Sequence, residues 1–353
     1  MLIWGSNLKG QTITPFLDPS IKFVKTFNSF HLIAESNDSK VWFTTNNTKN
    51  TLQFLNADGT LNEFSQEVPQ GGINVLASTA NNKILVGGGF TSFNNTVVSA
   101  RILRINPDGT RDFSFSASAN TNEVTAIYVL SDGKILVGRN TQIQRLNEDG
   151  STDNTFSTVT TNGKINDFAI INDNIIVAVG DFTIVNGSSK NRIIALNKNG
   201  SVNSSFDIGN GFNSTVNNIR KSGDEKLYAI GDFISYKGNT VNRIAKIDFN
   251  GNLDSTFHSS NSGFNQTPMA IGIIQNNNLL IGGNSLKYRN QPAKDFIVIN
   301  AVNGIAEANP PYSFENGMVK HIIKRNNSGF LFSGEFVKYN NDFTYQVFKT
   351  YNV

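Results

Sequence analysis

The chain has 353 residues, with 30 basic and 27 acidic side chains and a formal net charge of +3. That near balance argues against nucleic acid, which calls for a concentrated basic patch. The absence of cysteine excludes disulfides and thiolate metal sites. No stretch approaches ~18 consecutive apolar residues, so no membrane span is predicted. The opening residues 1–10 lack the basic-then-apolar pattern of a secretory leader.

In chain order, short apolar runs alternate with turn clusters. The first unit predicts strands over 30–35, 41–44 and 52–56. The second predicts strands over 73–77, 83–86 and 101–106, with Gly87-Gly88-Gly89-Phe90 closing the middle one and a polar connection over 91–99. The third runs 124–130, 134–138 and 142–147, with a shorter connection. The fourth runs 165–171, 175–182 and 192–197; the fifth 216–220, 226–233 and 243–248. The sixth has 269–274, 279–283 and 296–300; the seventh 319–324, 330–336 and 346–351. Each unit reads as an antiparallel meander. No segment sustains apolar residues at i, i+3, i+4 and i+7, which excludes helical repeats.

The first five units then end on one signature. It reads Asn-Glu-Asp-Gly-Ser-Thr-Asp-Asn-Thr-Phe at 147–156 and Asn-Lys-Asn-Gly-Ser-Val-Asn-Ser-Ser-Phe at 197–206. Gly59, Gly109, Gly150, Gly200 and Gly251 occupy its turn, where φ > 0 is needed. Phe64, Phe115, Phe156, Phe206 and Phe257 close it, with Phe314 as a sixth. Their spacings are 51, 41, 50, 51 and 57 residues. A period of about 40–50 residues carrying several strands marks a β-propeller, one blade per repeat. The expected fold is all-β: one closed propeller over residues 1–353, with seven blades. The seventh unit ends without the signature, while 7–10 and Phe16 resemble it. Residues 1–16 are therefore expected to complete the last blade, closing the ring through both termini and removing sheet edges.

The run Asp-Gly-Lys-Ile-Leu-Val-Gly at 132–138, followed by Arg-Leu-Asn-Glu-Asp-Gly-Ser-Thr-Asp-Asn-Thr-Phe at 145–156, resembles the delta-60 repeat family. Asn-Gly replaces Asp-Gly at 199–200 and 250–251. The resemblance implies a β-propeller of the kind found in bacterial surface and phage proteins, and it implies no activity.

Candidate sites follow from side chains that recur. Asn147, Asp149 and Asp153 flank Gly150 loosely like a calcium loop, which needs several oxygen ligands. Lys198, Asn199, Phe249 and Asn250 stand at equivalent places, so an Asx-supported turn accounts for them better. Asp181 precedes Arg192, and Asp232 precedes Arg243, by 11 residues each, which suggests an ion pair across the connecting loop. Glu335 and Gln346 are the third copy, without the cation. Phe93, Tyr236, Tyr288 and Tyr339 share one loop position, which Val185 takes in the fourth unit. They would either ring one face for glycan or protein contact or seal their own blades. His31, His258 and His321 fall at unrelated points of the repeat, and no nucleophile elbow accompanies them.

No catalytic residue, metal or cofactor is expected. The expected role is a non-enzymatic structural or adsorption component of a phage virion, docking on other proteins of a larger assembly. The alternative is a bacterial surface adhesin that binds a host-surface glycan; a propeller hydrolase or lyase is third.

Overall fold

A computed structural model describes residues 30–47, 49–68, 71–258, 263–274, 277–293, 296–307, 314–315, 317–325, 330–335, 338–339 and 342–343. The fold is all-β and propeller-like. Phe30–Glu35, Val41–Asn47, Lys49–Leu55 and Leu61–Val68 form the first antiparallel sheet. The second joins Ile73–Ser78, Ile84–Gly88 and Ile102–Ile105. The third joins Val124–Val129, Ile135–Arg139, Gln142–Leu146 and Val159–Thr160. The fourth joins Ile165–Ile171, Ile175–Gly180 and Ile193–Asn197, and the fifth Val216–Lys221, Lys226–Gly231 and Ile244–Asp248. Ala270–Ile273, Leu279–Gly282 and Phe296–Ile299 make the next sheet, and Met318–Lys324 pairs with Phe330–Glu335.

Burial explains the composition of each strand. A middle strand is covered on both faces, so it reads as a nearly unbroken apolar run; Ile175–Gly180 is buried from Ile176 onward. The first strand of each sheet carries more polar residues, as in Val216–Lys221, where Val216 and Ile219 are the buried positions. The core is divided into layers between consecutive sheets. Phe168, Ile176, Ala178 and Ile194 fill one of these with Ala126 and Leu136 of the preceding sheet. Ile33, Val41, Phe43 and Leu55 of the first sheet pack with Leu331 of the last. Arg325 Nε and Glu35 Oε1, 2.9 Å apart and both buried, join the same two sheets.

Most first strands begin with a bulge that composition does not foretell, Ala270–Ile273 being an exception. Pairing with the middle strand skips Asn74, Thr125 and Asn166. A bulge re-aims a side chain at the cost of one ladder position. Asn74 Nδ2 donates to Val124 O at 3.1 Å, Thr125 Oγ1 to Ile165 O at 2.5 Å, and Asn166 Nδ2 to Val216 O at 2.9 Å. Each bulged residue thus latches its sheet to the next.

The connections expected to be loops carry two-residue hairpins. Ile184–Val185 pairs with Ser188–Ser189, and Ser235–Tyr236 with Asn239–Thr240. Their turns have positive φ at both central residues, Asn186 (47°) with Gly187 (79°) and Lys237 (49°) with Gly238 (78°). That is the tight turn whose twist matches two antiparallel strands. The expected role of residues 1–16 and the strand at 346–351 lie outside the described residues.

Candidate functional site

The signature residues build the seams between repeats. Gly59, Gly109, Gly150, Gly200 and Gly251 have φ of 79°, 92°, 87°, 86° and 86°. A second constraint excludes a side chain at several of them. A Cβ on Gly200 would lie 2.4 Å from Ser157 O, and one on Gly251 2.2 Å from Asp207 O. A Cβ on Gly109 would meet the Phe64 ring at 2.4 Å. The turns at Gly109, Gly150, Gly200 and Gly251 are therefore pressed onto the closing segment of the preceding repeat. Ser116, Ser157 and Asp207 N–H donate to Asp149, Asn199 and Asn250 carbonyls at 2.8, 2.8 and 2.9 Å. Phe115, Phe156, Phe206 and Phe257 are buried beside these contacts, and Phe64 is half-buried against Trp42 and Phe54. Phe314 lies in Phe314–Glu315, paired with Lys338–Tyr339.

The second carboxylate of the signature anchors a buried ion pair. Arg145 Nε donates to Asp153 Oδ2 at 2.6 Å, and Lys134 Nζ to the same oxygen at 2.8 Å. Thr155 N and Oγ1 donate to Asp153 Oδ1 at 3.0 and 2.6 Å. Arg145 Nη1 donates onward to Lys198 O, in the next repeat's turn. The second repeat repeats this: Arg104 Nε to Asp112 at 2.6 Å, Lys83 at 2.9 Å, and Arg104 Nη1 to Glu148 O at 2.5 Å. In the fifth, Lys246 lies 3.3 Å from Asp254 and donates to Ala301 O at 2.7 Å. Burial pushes the Asp112 and Asp153 carboxyls up, but these donors outweigh it and hold both well below the usual carboxylate range. The fourth repeat has Asn203 and Ala195 at the two places, losing acid and base together.

The expected pairs Asp181–Arg192 and Asp232–Arg243 do not form. Arg192 and Arg243 sit at φ of 66° and 71°, which turns them away from the loop they open. Arg192 Nη1 donates to Phe212 O at 3.2 Å and Arg243 Nη1 to Phe264 O at 2.9 Å, both in the following repeat. Asp181 faces Lys164 at 3.8 Å, and Asp232 accepts from Thr267 Oγ1. Asp149, considered above as a calcium ligand, accepts from Ser151 N and Oγ at 2.9 and 2.6 Å, as an Asx turn does. Among the described residues no three acidic, histidine or cysteine side chains converge on a cation position.

Of the two readings of the loop aromatics, burial excludes the ring on one face and bears out the sealing of each blade for the side chains described. Phe93, Tyr236 and Tyr288 are 2%, 0% and 1% exposed, as is Val185 at 1%. Tyr236 and Tyr288 donate their hydroxyls to Gly251 O at 2.8 Å and Gly304 O at 2.6 Å. Burial raises both phenols. They seal the space beneath the small hairpin, and the short distance from hairpin to turn aims them inward. The Tyr339 side chain lies outside the described residues. The hairpin region instead exposes Val97, Ile184 and Ile234 at 74%, 43% and 49%.

Two groups with chemical potential remain. His258 Nε2 accepts from Lys246 N at 3.0 Å, and burial pushes this imidazole down to about 4. His31 and His321 belong to the first strands Phe30–Glu35 and Met318–Lys324, away from it in the repeat. A cleft of about 330 Å³ opens between the third and fourth sheets, lined by Tyr128, Asp132, Arg145, Asp173 and Lys198. Burial and then the charge of Asp167 raise the Tyr128 phenol, so it enters the cleft as a hydrogen-bond donor.

The layered meanders and their seams define a β-propeller scaffold. Four segments, residues 79–115, 130–156, 172–206 and 223–257, match the family described as a domain of unknown function (DUF5122) beta-propeller. A comparison with curated proteins finds no match. The WD40 β-propeller domain of Doa1 superposes with a TM-score of 0.61 at 13% identity, over 96% of each chain. Virginiamycin B lyase from Staphylococcus aureus gives 0.59 at 15% identity, over 94% of this chain and 98% of that one. The WD40 domain of Neurospora crassa Pan2 gives 0.55 at 12%, over 96% and 97%. At such identities the likeness is one of fold, and the set includes both a lyase and WD40 domains. The scaffold hosts unrelated functions, so chemistry has to be argued from the site.

Proposed function

We propose that this chain is a non-enzymatic docking module, a rigid seven-bladed propeller of the delta-60 type that works as a structural or adsorption component of a phage particle. The observation that carries docking is the exposure of Val97, Ile184 and Ile234 on hairpins of three different repeats. The three hairpins are equivalent in the repeat, with Val97 on the second strand, Ile184 on the first and Ile234 just before it, so each adds an exposed apolar side chain toward the same end of the sheets, which suits a protein contact. The recurring charged groups, by contrast, are engaged in seams. The contact of the first sheet with the last through Leu331 and Arg325 supports a closed ring. The burial of Tyr236 and Tyr288 takes these two side chains out of any glycan-stacking surface, which supports the docking reading over the adhesin.

Quantitative mass spectrometry of gradient-purified particles and of host envelope fractions tests the assignment. The chain is expected in the particle at a fixed ratio to the major capsid protein. Recovery in the envelope alone would overturn the particle role, and a glycan array bound by the isolated chain would favour the adhesin.

A further inference from the structure

The second repeat departs from its siblings at two neighbouring positions. The residue that bridges back to the third strand is Thr152, Val202, Leu253 and Ala306 elsewhere, but Arg111 here. Two residues on, Asn154, Ser204 and Ser255 give way to Phe113. The seam forms in the other repeats without either side chain, so packing between repeats does not call for them.

The two side chains meet at the surface. The Arg111 guanidinium stacks on the Phe113 ring at 5.2 Å, and Phe113 is 74% exposed. Arg111 Nε and Nη1 are buried and have no hydrogen-bond partner. Leaving guanidinium donors buried and unpaired is strongly unfavourable, and Arg104 and Arg145 avoid it through Asp112 and Asp153. Asp108, in the adjoining turn, accepts from Thr110 N and Oγ1 at 2.9 and 2.7 Å. Arg111 is therefore a cation waiting for an acceptor.

Arg111 and Phe113 border a groove of about 560 Å³ whose other walls include Phe64, Ser65, Phe93 and Thr96. Phe64 and Ser65 belong to Leu61–Val68, eight residues long and the outermost strand of the first sheet. Among the described residues it has no ladder partner on its outer side. The corresponding strand of the third sheet, Val159–Thr160, has only two residues. The strand is bulged at Asn62–Phe64, where the Phe64 N–H donates to Asn62 Oδ1 at 2.9 Å, but Ser65–Val68 pairs in unbroken register and offers regularly spaced main-chain donors and acceptors to an added strand.

We propose that this groove captures an extended acidic segment of a partner protein, its backbone paired along Ser65–Val68 and one carboxylate held by Arg111. The regular peptide groups of the edge favour a polypeptide over an acidic polysaccharide, which cannot match their register. Phe113 turns aside from the guanidinium and covers the carboxylate once it is seated. The inference rests on the docking reading and names the partner chemistry for it.

Fluorescein-labelled peptides of about ten residues, alternating Thr and Val with Glu, Gln or Lys at the centre, are titrated with the full chain by anisotropy. The Glu peptide is expected to bind about tenfold tighter than the other two, the effect of one charged hydrogen-bonded pair. Arg111→Gln abolishes that preference without lowering Tm, and Phe113→Ser weakens it. A Glu peptide N-methylated at alternate residues loses binding, which tests strand addition without altering the protein. Equal affinity for the three peptides, an unchanged preference in Arg111→Gln, or no binding at about 1 mM peptide overturns the proposal. So does binding of tetragalacturonate through Arg111 while every peptide fails. Failure of the peptides with the chain still present in particles removes this groove alone. Peptide capture by a chain absent from particles removes the particle role and leaves the groove.

Discussion

Replacing Asp153 by Ala removes the acceptor from the most fully built seam. Two cations and both Thr155 donors converge on that carboxylate, and the Arg145 and Asp153 side chains are 3% and 4% exposed. Breaking a buried pair from one side costs about 3–5 kcal/mol, because the remaining charge stays in the interior. The bonds from Arg145 to Lys198 O and Thr155 Oγ1 hold that charge in place, so it stays buried. An unfolding entropy of about 2.1 cal/mol/K per residue over 353 residues gives about 0.74 kcal/mol/K. The expected fall in Tm is then about 4–7 °C, read by differential scanning calorimetry at pH 7. The fourth repeat supplies the control. Arg145→Ala combined with Asp153→Asn recreates its Ala195 and Asn203, and should lose less than Asp153→Ala alone. The pH dependence has a definite sign. The folded carboxyl lies below its unfolded value, so the clasp stabilises fully above about pH 4 and loses its effect as pH falls further. The gap between wild type and Asp153→Asn should therefore narrow in acid. A Tm for Asp153→Ala within 1–2 °C of wild type, roughly the cost of an exposed pair, would refute the reasoning.

Three further outcomes follow from the geometry. Gly200→Ala and Gly187→Ala meet similar positive φ, but only Gly200 has a carbonyl at 2.4 Å from the new Cβ; Gly187 has nothing within 4 Å. Urea denaturation should give about 1–2 kcal/mol of backbone strain for Gly187→Ala and a clearly larger loss for Gly200→Ala; equal losses would mean the seam does not press on the glycine. His258 must stay neutral at Nε2 to accept from Lys246 N, and its value near 4 lies below that of the unfolded chain. Folding stability should fall as pH drops from about 6.5 to 4, by on the order of 3 kcal/mol, and His258→Gln should flatten that decline; an equally steep decline in the variant would clear His258. Deleting residues 1–16 is expected to lower Tm and broaden the transition if they complete the last blade, whereas an unchanged cooperative melt would dismiss terminal closure.

The parts of this molecule legible in its sequence are those whose chemistry is local. Asn147-Glu-Asp-Gly150 announces a turn because Asx side chains and a left-handed glycine act within four residues. The partner of a charge depends on register, which a fixed spacing along the sequence does not reveal. Asp181 and Arg192 are separated by 11 positions, yet Arg104–Asp112, Arg145–Asp153 and Lys246–Asp254 pair at 8. The joint loss of acid and base at Asn203 and Ala195 was a usable signal, visible by comparing repeats. The loop position of Tyr236 is legible, but the direction of its side chain depends on the hairpin that this loop forms. Asn186-Gly187, at the same place in the fourth repeat, is the dipeptide that signals such a hairpin. The bulges at Asn74, Thr125 and Asn166 had no sequence signal apart from a small polar residue second in each strand, because their partners belong to the next sheet.

The glycine seam bears on how such a chain changes its size. One half of each joint is the tight turn of a repeat, and the other half is the carbonyl that follows the preceding repeat's aromatic residue, as at Gly200 with Ser157 and Gly251 with Asp207. A tandem duplication of any one unit therefore arrives already able to dock both upstream and downstream. Growth or contraction by whole copies requires no new contact to evolve, and the number of units is limited only by the angle at which successive sheets meet.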